Sequence, residues 1–154
     1  MIILTHTLAG AAIGAKVNNA PVAFLLGMVS HFILDAIPHF DQGTIINPFG
    51  DKDVKWPKWV YWTLVLDVIV TLFIFFLLKN RPDFHILIWG AVGGISVDVL
   101  ENFPWKTLKT LPIFKQIGWL HHKVHFNLPT NKWYIGLIFE VIVTGGLLWY
   151  LLRF

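Results

Sequence analysis

The sequence contains no cysteine and few charged residues. Without cysteine the chain forms neither disulfides nor thiolate metal sites. Charged residues make up 14% of the 154 residues, against about 25% in a typical soluble domain. Hydrophobic residues make up 56%, more than a soluble globule of this length could cover with polar side chains. We therefore expect residues 1–154 to form a single integral membrane domain whose apolar surface is covered by lipid.

Long apolar runs predict membrane helices. A span needs roughly 20 mostly apolar residues, and four runs are long enough: 21–40, 59–78, 84–103 and 133–152. Residues 2–17 form a shorter segment rich in small residues, which we expect to pack inside the bundle as a short, tilted or re-entrant helix. The sequence thus predicts an all-α polytopic bundle of about five membrane segments.

The two long connections, 41–58 and 104–132, are predicted to lie on the same membrane face. Tryptophans lie in these connections or within the first residues of the apolar runs that follow them, at positions 56, 59, 62, 105, 119 and 133, as is typical of an aromatic belt at a membrane interface. Residues 105–111 mix lysines with apolar residues, which indicates either an interfacial segment on the lipid headgroups or an ordinary loop. The lysines flank apolar runs instead of forming one stripe, so no nucleic-acid partner is expected. Their number predicts that this face is cytoplasmic in a multi-pass protein of the cell (inner) membrane.

Ionisable side chains interrupt the apolar runs. Each costs at least about 2.5 kcal/mol near the bilayer centre, so together they need a compensating partner. Threading the helices at about 1.5 Å per residue places six of them in one layer, close to the face with the long connections. Asp67 taken alone is explained equally well by a hydrogen bond between helices. The six residues are His6, His31, Asp35, Asp67, Asp98 and Glu140.

Regular spacings connect several of these residues with others. His31, Asp35 and His39 are four residues apart, which predicts that they share one helix face, and His121 and His125 repeat the interval. Imidazole nitrogen and carboxylate oxygen are ligands of zinc and of other borderline divalent metals. We therefore predict a bound divalent cation, with zinc as the expected ion. The number of candidate ligands leaves open two or more ions, or one ion with further carboxylates that orient the imidazoles.

Two stretches resemble known families. The pattern THxxxGxxxG over residues 5–14 and the stretch SHFILDAIPHFD over residues 30–41 resemble the small bacterial membrane-bound metal-dependent hydrolases. HxxxD at 31–35, followed closely by a histidine, is similar to the metal-binding helix of zinc-dependent phospholipases C. The resemblance implies a metal-dependent phosphoester hydrolase in which the residues near the metals are His6, His31, Asp35, His39 and Asp41.

The expected function is hydrolysis of a phosphoester in a lipid headgroup. Asp98 or Glu140 would act as general base or as a bridge between metals, and lysines at the same face would attract an anionic, phosphate-bearing substrate. A metal or proton-coupled transporter is an alternative, because buried ionisable groups also mark ion pathways. A noncatalytic membrane assembly protein, in which the polar layer only locks the helices, is another. The predicted metal ligands are His6, His31, Asp35, His39, Asp41, Asp67, His121 and His125.

Overall fold

The computed structural model describes residues 2–39, 57–102, 110–126, 128 and 132–153. Most of these residues form α-helices, with short described connections at 18–19 and 79–83, and no strand occurs among the described residues. The predicted all-α class is therefore confirmed. The helices are α1 (Ile3–Val17), α2 (Ala20–Asp35), α3 (Lys58–Leu78), α4 (Phe84–Asn102), α5 (Pro112–Val124) and α6 (Trp133–Arg153).

Three of the described helices, α3, α4 and α6, are long and apolar enough to cross a membrane. This supports an integral membrane protein, but the prediction of about five spans is too high for the described residues. Helices α1 and α2 have 15 and 16 residues. At 1.5 Å per residue they are about 22 and 24 Å long, less than the roughly 30 Å of a hydrocarbon core.

Helix α2 is shorter than the apolar run 21–40 because it ends at Asp35. Pro38 disfavours a helical conformation in the residue before it, so the helix cannot continue through this position. The carbonyl oxygen of Asp35 accepts a hydrogen bond from the backbone N–H of Phe126 at 2.7 Å. The end of α2 is thereby connected to the segment that follows α5.

Glycines allow α1, α2 and α4 to pack with their backbones in contact. A Cβ atom on Gly10 of α1 or on Gly27 of α2 would overlap the carbonyl oxygen of Gly90 on α4. A Cβ atom on Gly94 would overlap the carbonyl oxygen of His6. Small residues permit this close approach between helices in a membrane. The prediction that the first segment packs inside the bundle is confirmed, since most of α1 is buried.

Helix α5 differs from the others in being short and amphipathic. It packs against α4 and α2 and buries His121, while Ile113, Trp119 and Leu120 are exposed. The predicted interfacial stretch 105–111 lies outside the described residues except for its last two positions. Helix α5 therefore supplies the site with a histidine from the connecting region, beyond the candidate membrane spans.

Candidate metal centre

Four imidazoles surround the carboxylate of Asp35 at the end of α2. His31 from the same helix and His121 from α5 lie with Nε2 at 3.1 and 2.8 Å from Oδ2. His6 from α1 and His39 lie with Nε2 at 3.2 and 3.9 Å from Oδ1. The Asp35 residue is only 1% exposed. The predicted convergence of residues distant in the sequence on one buried position is therefore present in the structure.

Hydrogen bonds from Nδ1, the ring nitrogen that does not face Asp35, fix the orientation of His31 and His39. Nδ1 of His31 lies 2.8 Å from the carbonyl oxygen of Gly94, and Nδ1 of His39 lies 2.8 Å from that of Ile37. A carbonyl oxygen only accepts hydrogen bonds, so both Nδ1 atoms carry the proton. In the neutral rings, Nε2 then presents its lone pair toward Asp35, as a metal-binding histidine does.

Glu101 orients His121 in the same way. Its Oε2 atom accepts a hydrogen bond from His121 Nδ1 at 2.7 Å, and His121 Nε2 faces Asp35. Burial disfavours a charge on His121, but the hydrogen bonds to Asp35 and Glu101 outweigh it and raise the pKa of His121 to about 10. The position between His121 and Asp35 therefore attracts positive charge, whether a proton or a cation. Glu101 is absent from the predicted site, although its three-residue spacing from Asp98 could have indicated it.

The ligand atoms of Asp35, His31 and His121 have the spacing of a metal shell. Asp35 Oδ2 lies 2.8 Å from His121 Nε2 and 3.1 Å from His31 Nε2, and the two nitrogens are 3.4 Å apart. Atoms bound at roughly 2.0–2.1 Å in a tetrahedron lie about 3.3–3.4 Å from one another. Adjustments of a few tenths of an ångström would let the three atoms hold one cation, so the residues fit the predicted metal.

Asp98 lies at the edge of this buried cluster. Its Oδ1 atom is 3.8 Å from His31 Nε2, and its side chain is 27% exposed. Ligand atoms of Asp98, His6 and His31 all lie within 4.8 Å of one another. Asp98 thus forms the more accessible edge of the cluster, beside the buried His31.

His39 and His125 are also part of the cluster. Their ring centroids are 4.7 Å apart, and ligand atoms of both residues and of Asp35 lie within 4.8 Å of one another. His39 follows the end of α2 instead of continuing its face, yet it still contacts Asp35. The predicted ligand Asp41 lies outside the described residues.

Asp67 and Glu140 are placed at the start of α1, apart from the described groups of potential ligands. Asp67 accepts hydrogen bonds from the backbone N–H groups of residues 3 and 4 at 2.8 and 3.1 Å. Glu140 accepts from the N–H of Ile2 and the hydroxyl of Thr5, both at 2.9 Å. The first turn of a helix has unsatisfied N–H groups and a positive dipole end. Both carboxylates therefore stabilise the start of the helix that carries His6, and their metal-binding and catalytic roles stay predictions.

Comparisons with protein-family models, with curated proteins and with solved structures found no match to this chain. The interpretation of the site therefore depends on the geometry of its own residues.

Proposed function

We propose that the chain is a membrane-bound, metal-dependent hydrolase that cleaves a phosphoester in a lipid headgroup. The observation that supports this most is the orientation of the imidazoles around Asp35. His31 and His121 each donate from Nδ1 to an oxygen atom and direct Nε2 toward Asp35 Oδ2. This arrangement is typical of metal-binding histidines.

The proposed cation is bound by Asp35, His31 and His121. A divalent cation, with zinc favoured by the nitrogen and oxygen ligands, supplies a Lewis acid and an acidified water molecule when bound. Asp98, at the accessible edge of the cluster, accepts the proton of the attacking water. Glu101 keeps His121 in the tautomer that binds the cation. The water oxygen would form a new bond to phosphorus while the bond between phosphorus and the ester oxygen breaks, and the alcohol would leave with the proton that Asp98 accepted.

The surroundings of the cluster favour an amphiphilic, anionic substrate. Exposed Lys115 and Lys123 lie on α5, beside the exposed Trp119. A cleft of about 450 Å³ between α4 and α5 is lined by polar and apolar residues, among them Glu101 and Lys115. Lysines near a membrane surface attract anionic headgroups. A lipid phosphate ester would thus keep its acyl chains in the bilayer while its headgroup binds beside α5.

A phosphate-release screen tests this proposal. The full chain, purified in detergent and loaded with zinc, is incubated with mixed micelles of phosphatidic acid or of phosphatidylglycerol, and with a soluble phosphomonoester. Phosphorus-31 NMR should detect phosphate or a phosphorylated headgroup released from a lipid. His31→Ala and Asp35→Asn should abolish release, whereas His85→Ala, an exposed residue near the other end of α4, should retain it. Zinc-loaded protein that hydrolyses none of these compounds would contradict the proposal.

A further inference from the structure

We propose that Asp35 bridges two cations, the second of which is bound by Oδ1 of Asp35 together with His39 and His125. This inference depends on the first cation site described above. It adds a second metal site on the other oxygen of the same carboxylate.

The two oxygens of Asp35 face different imidazoles. Oδ2 lies 3.1 and 2.8 Å from Nε2 of His31 and His121. Oδ1 lies 3.2 Å from Nε2 of His6 and 3.9 Å from Nε2 of His39. A carboxylate with a separate set of nitrogen ligands on each oxygen has the geometry of a bridging ligand. In two-metal sites that act on phosphate esters, the ions are about 3.5–4 Å apart.

His39 is prepared for a ligand that the described residues do not supply. The residue is 3% exposed, and its Nδ1 donates to the carbonyl oxygen of Ile37 at 2.8 Å. Its Nε2 is buried and has no hydrogen-bond partner among the described residues. A buried polar atom without a partner is costly. A cation between His39, His125 and Asp35 would satisfy this nitrogen.

The second site is more open than the first. Nε2 of His39 lies 3.9 Å from Asp35 Oδ1, whereas ligand atoms in a tetrahedral zinc shell lie about 3.3–3.4 Å apart. His39 and His125 follow the ends of α2 and α5, so they can approach each other without moving a helix. We therefore expect weaker binding of this cation, and coordination positions left for oxygen atoms of a phosphate group.

Charge balance also favours a second cation for an enzyme with an anionic substrate. Asp35, Asp98 and Glu101 bring three carboxylates close to the cluster. If all three are ionised, one divalent cation leaves an excess of negative charge, which would repel a phosphate group. Two divalent cations exceed the three carboxylates by one positive charge. In a low-dielectric site this difference strongly affects binding of an anion.

Metal stoichiometry tests the second site directly. The full chain in detergent is stripped with a chelator, reloaded with zinc or manganese, and measured by plasma mass spectrometry after equilibrium dialysis. We expect two ions per chain in the wild type and one in His39→Ala and in His125→Ala. With manganese, electron paramagnetic resonance should show a spin-coupled pair in the wild type and an isolated ion in each variant. His122→Ala, whose side chain is 80% exposed, should keep two ions.

The inference is overturned by a single ion at saturation in the wild type, or by two ions in the folded double variant His39→Ala/His125→Ala. Circular dichroism and thermal unfolding identify a variant that is not folded. If the variants do not fold, the number of ions bound to the wild type tests the second site by itself. Two coupled ions without hydrolysis of any lipid would contradict the proposed function and retain the second site. Hydrolysis with a single bound ion would support the proposed function and contradict the second site.

Discussion

Replacing Glu101 with glutamine removes the charge that orients His121 without removing the hydrogen-bond acceptor. Oε2 of Glu101 lies 2.7 Å from His121 Nδ1, and this contact makes the opposite nitrogen more basic and holds it toward Asp35. Loss of such an outer carboxylate usually lowers metal affinity by about 10- to 100-fold. We expect a loss in this range for Glu101→Gln, equivalent to about 1.4–2.7 kcal/mol of binding free energy.

The affinity change is measured by competition for zinc with a chromophoric chelator, on detergent-purified protein at a fixed pH. His122→Gln is the matched control, because His122 Nε2 lies 3.8 Å from the same Glu101 oxygen and its side chain is 80% exposed. The control should bind zinc like the wild type. Wild-type affinity in Glu101→Gln, or an equal loss in both variants, would refute the role assigned to Glu101.

Three further predictions concern stability. Gly10→Ala would force a Cβ atom into the carbonyl oxygen of Gly90 and should lower unfolding free energy by about 1–3 kcal/mol, whereas Gly145→Ala, whose Cβ would meet no described atom within 4 Å, should not. Glu140→Gln should lower the thermal midpoint by weakening the cap of α1 and leave metal stoichiometry unchanged; loss of metal without loss of stability would contradict this. Hydrogen bonds from Arg81 lower the pKa of Asp83 from 3.8, so their stabilisation is present above pH 3.8 and disappears as the pH falls through the lower folded-state value. Arg81→Gln should therefore unfold at lower temperature than the wild type at pH 7 and approach it in acid, which scanning calorimetry checks.

The meeting of His6, His31, Asp35 and Asp98 could be predicted because helix geometry converts sequence position into depth. A rise of about 1.5 Å per residue is accurate enough to place residues of several helices in one layer. The helices themselves have apolar runs that only a membrane or a protein interior accommodates. For these four residues, the depth along each helix and the face at which the helix starts were sufficient to predict that they meet. The structure brings them together.

Depth does not determine which neighbour a carboxylate faces, and this limits the prediction for Asp67 and Glu140. Their partners are backbone N–H groups at the start of α1, the helix that carries His6. The sequence indicates a helix over residues 2–17 without showing that its first turn lacks a cap of its own. Whether a carboxylate satisfies a helix end or a cation depends on rotation about the helix axis, which hydrophobic patterning in a uniformly apolar helix leaves undetermined.

Gly94 takes part both in the packing of α1 against α4 and in the orientation of His31. Gly94 has no side chain, so α1 approaches until the carbonyl oxygen of His6 occupies the space of a Cβ atom. The carbonyl oxygen of the same Gly94 accepts the proton of His31 Nδ1, which directs Nε2 of His31 toward Asp35. The contact that packs α1 against α4 therefore also determines which nitrogen of His31 is available to a metal. Because Gly94 makes both contacts, the bundle cannot loosen at this position without changing the orientation of His31.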